Sequence, residues 1–253
     1  MKINFTQLFV DSWNFVRNKP KFLLQFSLLF TVETIVASYL LVNAIPENLT
    51  SISLNQLDIN SIHLPSQIYL LIFLHFLCNL FLFSWAILDI YLFSYNQSLS
   101  INQKIQRILQ RLPGLFAIII LIILPLIVSI LEVSLAAFTH SNLSFVSILS
   151  FILGIVIFVR FCLTFVDYLV RNISIFQCLQ QQWRQGIKNS SNLFLFCLIN
   201  YFFFSFVMQL IMSLSNGSTF MEVVLHLICS AIYVFSIIFT YRFYSIFMQN
   251  GGK

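Results

Sequence analysis

The sequence predicts an all-α membrane protein with six transmembrane helices. Three observations carry that expectation. Only 8% of the 253 residues are charged, 59% are apolar, and the mean hydropathy is +0.93. A soluble domain carries about 25% charged and about 45–50% apolar residues. Six apolar runs reach the roughly 20 residues that cross about 30 Å of hydrocarbon. All 13 Lys and Arg residues fall on one side of the resulting topology. So little charge excludes a soluble enzyme, a nucleic-acid binder and a disordered scaffold. The net charge of +5 is therefore an orientation signal, and no nucleic-acid partner is expected.

The chain opens on a surface helix over 3–19. Phe5, Leu8, Phe9, Phe15 and Val16 oppose Asn4, Gln7, Asp11, Asn14 and Arg17, an amphipathic pattern of the interfacial kind. It does not read as a cleaved leader, because the first long apolar run starts only at Phe22 and Val42-Asn43-Ala44 is a poor cleavage site. The membrane helices are expected at 22–45, 67–95, 113–138, 144–169, 193–214 and 220–245, all within a single integral membrane domain spanning 1–253. Membrane strands would be about 10 residues long and alternate in polarity; these runs do neither.

Lys2, Arg17, Lys19 and Lys21 precede the first helix. Lys104, Arg107 and Arg111 lie between the second and third, and Arg171, Arg184 and Lys188 between the fourth and fifth. Arg160 lies toward the same end of helix four, while Arg242 and Lys253 close the chain. The connections 46–66, 139–143 and 215–219 hold no Lys or Arg; the first contains Glu47, Asp58 and His63. The positive-inside rule then puts both termini in the cytoplasm of a bacterium with a multi-pass protein in its inner membrane.

The basic segments share a design. Ile101, Ile105, Ile108, Leu109 and Leu112 oppose Lys104, Arg107 and Arg111, and Ile175, Leu179, Trp183 and Ile187 oppose Arg184 and Lys188. Aligning Leu8, Ile101 and Leu179, with Pro20 and Pro113 at the starts of membrane helices, reads as three repeats of a surface helix plus a transmembrane hairpin. The other reading is that any six-helix protein carries basic amphipathic inner segments. Either way, Arg17, Lys19, Lys104, Arg107, Arg111, Arg184 and Lys188 are the expected contacts to anionic phospholipid headgroups, at about 1 kcal/mol per basic residue near the surface.

Ionisable residues within the bilayer are costly and are site candidates by default. They are Glu33, His75, Asp89, Glu132, Arg160 and His226. Asp89 and Arg160 lie at depths differing by about 5 Å at ~1.5 Å per residue, so an ion pair is geometrically open, with Asp167 as the other partner for Arg160. Glu132 and His226 share a depth near the outer surface, and His75 reaches Glu33 if its helix tilts. These groups read either as a proton or cation path or as polar groups paired inside the bundle. Ser150-x-x-x-Gly154 and Thr34-x-x-x-Ser38 are small-residue faces for close helix approach, and Pro125 interrupts helix three.

No catalytic signature or phosphate-binding loop occurs. The five cysteines are scattered and the four histidines unclustered, so no disulfide framework, metal or other cofactor is expected. The expectation is a non-enzymatic membrane or lipid-associated factor, with a small-molecule or proton-coupled carrier or channel as the alternative.

Asp11-Ser12-Trp13-Asn14-Phe15-Val16-Arg17-Asn18, the stretch from Phe176 through Asn192, and Tyr241-Arg242-Phe243-Tyr244 together resemble the YciC family of uncharacterised multi-pass inner-membrane proteins. The resemblance runs along the chain in helix order. It departs in composition, with Phe, Ile and Asn where relatives use Leu, Ala and Gly. It implies six helices and an inner-membrane address, and brings no catalytic residues. A looser likeness to the membrane domains attached to some glycerophosphodiester phosphodiesterases keeps a lipid-related role open.

Overall fold

A computed structural model describes residues 3–45, 65–139, 144–171, 173–215 and 217–251. The expected outer-loop residues Glu47, Asp58 and His63 lie outside them. Helix α1 (Phe5–Asn18) leads into α2 (Pro20–Ala44), and α3 (Ser66–Ser94) is followed by α4 (Ile101–Thr139). Next come α5 (Phe145–Phe161), α6 (Thr164–Val170) and α7 (Ile175–Lys188). The chain continues through α8 (Ser190–Cys197), a π-helical turn (Leu198–Phe203), α9 (Phe204–Met212) and α10 (Thr219–Gly251). Among the described residues, six helical spans are long and apolar enough to cross a membrane. The protein is a multi-pass α-helical membrane protein.

Three junctions differ from the sequence expectation. Pro113 does not start a helix: α4 runs unbroken for 39 residues from the amphipathic segment into the bilayer. Pro20, by contrast, follows a true break at Lys19 (φ −130°, ψ 57°), and Asn189 makes a similar break (φ −130°, ψ 32°) between α7 and α8. The fourth span is interrupted by a turn at Cys162–Leu163, and the fifth by the π-helical turn around Asn200.

The three amphipathic segments start alike. Asn4, Ser100 and Ser174 each accept from the backbone N–H three residues on, which belongs to Gln7, Gln103 and Gln177 respectively. The glutamine side chain returns the bond to the cap backbone at Ser100 and Ser174, completing a reciprocal cap. Counting from the caps, Leu8, Ser12 and Val16 face inward in α1, as do Cys178, Gln182 and Gly186 in α7. Ile108 is the buried counterpart of Ser12 and Gln182 in α4. The caps thus align Leu8 with Lys104 and Cys178, replacing the register built on Ile101 and Leu179.

Helix α10 is the centre of the bundle. Half of its most apolar stretch is buried, against 22% in α2, and it packs against α1, α2, α3 and α9. Phe239, Phe243 and Phe247 recur every fourth residue on its buried side, so they share one face. Phe243 stacks on Phe196 at 4.3 Å between ring centroids, and Phe9 lies 4.8 Å from Phe239. Offset and tilted ring pairs of this kind add about 0.5–1.5 kcal/mol beyond the area they bury.

The expected small-residue face of α5 forms its seam with α4. Ser150 donates to the Pro125 carbonyl at 2.9 Å and Ser129 to the Ser147 carbonyl at 3.3 Å. A Cβ on Gly154 would sit 2.7 Å from Leu126 Cδ2 and 3.1 Å from its backbone nitrogen. The matching face on α2 is less complete: Thr34 is half-buried and Ser38 exposed. Buried hydroxyls close onto the carbonyl one turn back, Thr31 to Ser27, Ser84 to Leu80 and Thr240 to Ser236. That satisfies their hydrogen bonds where no water is present.

Candidate functional site

Helices α2 and α3 bring Glu33 and His75 together within two of the membrane-length spans. His75 Nδ1 lies 2.5 Å from Glu33 Oε1, and the glutamate side chain is only 10% exposed. The contact lacks the alignment of a hydrogen bond. One turn along α3, Asn79 Oδ1 accepts from Tyr233 Oη of α10 at 3.3 Å. Beside it lies a cavity of about 310 Å³ bordered by Thr34, Asn79, His226 and Tyr233. His226 therefore joins this group and does not meet Glu132. The Glu132 carboxylate accepts from the Ser144 hydroxyl, because α4 packs on α5 whereas the His226 turn of α10 faces α2 and α3.

A second cavity, about 260 Å³, shares Asn79 and Tyr233 and adds Cys162, Tyr201 and Thr240. It borders both irregular turns, at Cys162–Leu163 and in the π-helical segment. Within that segment, buried Asn200 accepts from Ser236 at 2.9 Å. Single π-helical turns frequently mark functional positions in helices. No glycine or proline marks either turn in the sequence.

At the basic end the expected pairings change. Asp89 pairs with Lys104 at 2.7 Å, not with Arg160. Arg160 faces α7: its guanidinium lies 5.1 Å from the centre of the Trp183 ring, and its Cδ would be 3.2 Å from a Cβ on Gly186. Depth alone allowed the Asp89 pairing. The two residues point to different neighbours, α4 for Asp89 and α7 for Arg160. Asp167 is likewise not the partner of Arg160. Fully buried, it accepts from Tyr244 Oη at 2.6 Å and from Arg171 at 3.4 Å.

These groups rim a third cavity, about 790 Å³, where α3, α4, α6, α7 and α10 converge. Arg107 and Arg171 border it together with Tyr91, Gln181, Tyr244 and Ser245. Arg107 donates to the Val170 carbonyl at 2.9 Å and Arg111 to that of Ile173 at 3.0 Å, with the Arg111 guanidinium 4.7 Å over the Tyr168 ring. Arg171 donates to Gln181 at 2.8 Å. The arginines thus hold the link that joins α6 to α7, and Arg107 does so at the carbonyl end of α6, where positive charge is favourable. Beside Asp167, the Cys178 thiol is pushed up to about 12 by burial and by the neighbouring carboxylate, which leaves it an unreactive thiol at neutral pH.

Of the seven basic residues expected at headgroups, Arg17, Lys19, Arg184 and Lys188 are exposed. Lys19 lies 5.0 Å over the Phe93 ring. Lys104, Arg107 and Arg111 turn into the contacts just described. Sequence periodicity placed them on the polar face of their segment but did not reveal that this face meets α3 and the link after α6.

No protein-family model matches the chain, and no solved structure matches it. An uncharacterised protein of Haemophilus influenzae is 29% identical over 252 residues, which cover 99% of this chain and all of that protein. The similarity runs end to end, so it embraces the whole six-span bundle and its cavities.

Proposed function

We propose that this protein is a non-enzymatic factor of the bacterial inner membrane, with both termini in the cytoplasm, that works through anionic phospholipid at its basic end. The observation that carries the reading is the layer formed there. Arg17, Arg184 and Lys188 are exposed on the amphipathic helices α1 and α7, and Arg107 and Arg171 border a polar cavity to which α7 also contributes. Trp13 and Trp183 are exposed on the same helices, as interfacial aromatics are. The non-catalytic part is supported by the buried acids, each of which has a neighbouring side chain on it: His75 on Glu33, Lys104 on Asp89, Tyr244 on Asp167. The resemblance in α1, α7 and the end of α10 supports membership of the YciC family, and the shared caps at Asn4, Ser100 and Ser174 support a threefold build.

The test has two parts. A reporter that is active only outside the cytoplasm, fused after the last residue, is expected to be silent, and a cytoplasmic fluorescent reporter bright. In nanodiscs made from mixed phosphatidylcholine and phosphatidylglycerol, the chain is expected to enrich the anionic lipid, and the triple variant R17Q/R184Q/K188Q to lose most of that enrichment. Equal lipid composition around both would refute the reading.

The second reading, a proton-coupled carrier, is favoured by the Glu33–His75 pair and the two cavities that share Asn79 and Tyr233. It requires proton flux in proteoliposomes that E33Q abolishes. A tight membrane with wild-type protein present removes it.

A further inference from the structure

We propose that the cavity of about 790 Å³ at the basic end is a binding site for one phosphate ester, held between Arg107 and Arg171. The proposal rests on the reading of this end as the lipid-headgroup side and adds a specific, stoichiometric site to it.

The two guanidiniums come from different parts of the chain, α4 and the link after α6, and border the same open volume. Each carries five N–H donors in a planar fork. Arg107 gives one to the Val170 carbonyl, and Arg171 uses one nitrogen for Gln181 and Asp167. Donors remain on both forks. These contacts also fix the two stems, so the remaining donors are held in place before any ligand arrives, which lowers the entropy cost of binding. The acid that approaches this cluster, Asp167, is fully buried, and its Oδ1 is already taken by Tyr244 and Arg171. Asp89 is balanced by Lys104. The rim thus keeps an excess of positive charge, and arginine forks match the oxygen geometry of a phosphate.

The remaining wall suits what a phosphate ester carries. Gln181 and Ser245 provide polar groups, and Tyr91 an aromatic side. The volume lies within the range of about 300–1,000 Å³ typical of small-molecule sites. A phosphodiester headgroup of a membrane lipid and a free glycerol phosphate share this chemistry, and the experiment separates them.

The full-length chain would be purified in mild detergent, stripped of lipid, and examined by native mass spectrometry with added phosphatidylglycerol, phosphatidylcholine or glycerol 3-phosphate. One phosphatidylglycerol per chain is expected to survive gas-phase activation, with phosphatidylcholine about tenfold weaker, because its phosphodiester is the same but its choline cation is repelled by the two guanidiniums. Retention of glycerol 3-phosphate in place of lipid would assign the soluble ester. Variants R107Q and R171Q are each expected to weaken retention about tenfold, and K21Q, which removes the same charge from an exposed position, to leave it unchanged. S245F narrows the cavity without altering charge and is expected to weaken retention about tenfold, while circular dichroism and elution volume stay those of the parent; it serves where an arginine variant fails to fold. Equal losses in K21Q and R107Q, or full retention in S245F, would overturn the site. In that case persistent enrichment of anionic lipid in nanodiscs leaves the broader reading intact, whereas absence of any anionic preference removes both.

Discussion

Tyr244 and Asp167 meet at 2.6 Å across the basic end of the bundle, linking the central helix α10 to α6. The carboxylate is fully buried, so its hydrogen bonds have no water to replace them. Removing the donor in Y244F is expected to lower stability by about 2 kcal/mol, the range for hydrogen bonds to charged groups. Thermal unfolding in detergent, followed by intrinsic fluorescence, checks this; an unchanged midpoint would show that Arg171 alone supports the carboxylate.

The thiol of Cys178 reads the same neighbourhood from another side. Its ionisation is shifted upward by burial and by Asp167. In a variant retaining Cys178 as the single cysteine, a water-soluble maleimide at pH 8 is expected to label the native chain far more slowly than the denatured one. D167N removes the second cause, so labelling should begin at lower pH. The sign for stability follows from the same shift. The native state keeps its proton above pH 9 while the unfolded state loses it, so this group's contribution to stability falls as pH rises from about 9 to about 12.

The α4–α5 seam is set by one missing side chain. A Cβ on Gly154 meets the Leu126 side chain and its backbone nitrogen. The larger G154L is expected to cost about 1–3 kcal/mol by overpacking and to break the Ser150 to Pro125 hydrogen bond. G154A should cost less, since the Leu126 side chain moves. Detergent-resistant helical signal against temperature distinguishes the two.

Proline position gives an opposite prediction. Pro113 sits inside a continuous helix, where it lacks the N–H that the Leu109 carbonyl would accept. P113A is expected to raise the unfolding midpoint, because an internal proline costs up to about 3 kcal/mol in a helix. P20A, at a first helical turn where that N–H is not needed, is expected to leave it nearly unchanged. Equal effects would mean that α4 is hinged at residue 113 in the membrane.

The six spans were legible because bilayer thickness imposes a length and a composition that tertiary structure cannot override. Counting residues along each span also orders side chains by their expected level. The Glu33–His75 approach was therefore within reach: the two residues belong to consecutive membrane helices and to similar levels. What counting does not provide is the direction in which a side chain leaves its helix. Asp89 and Arg160 share a level and face different neighbours, and Glu132 and His226 do the same near the other surface. Nor did hydropathy single out α10 as central, with 2.3 against 2.2 for α3. A signal was present in its buried side, where phenylalanines repeat every fourth residue. The turn at Cys162–Leu163 and the π-helical turn at Asn200 left no such mark, since no glycine or proline stands at either.

The placement of α10 also fixes an order of events during synthesis. The most buried helix, on which α2, α3 and α9 pack, is the last of the six to leave the ribosome. At about 5–20 residues per second, roughly 10–40 s separate completion of α2 from completion of α10. Through that interval Phe26 and Phe30 have no central helix to lie against, and Asp167 has no Tyr244. A chain halted before residue 219 lacks these contacts, and the faces of α2 and α3 that α10 covers stay open to the bilayer.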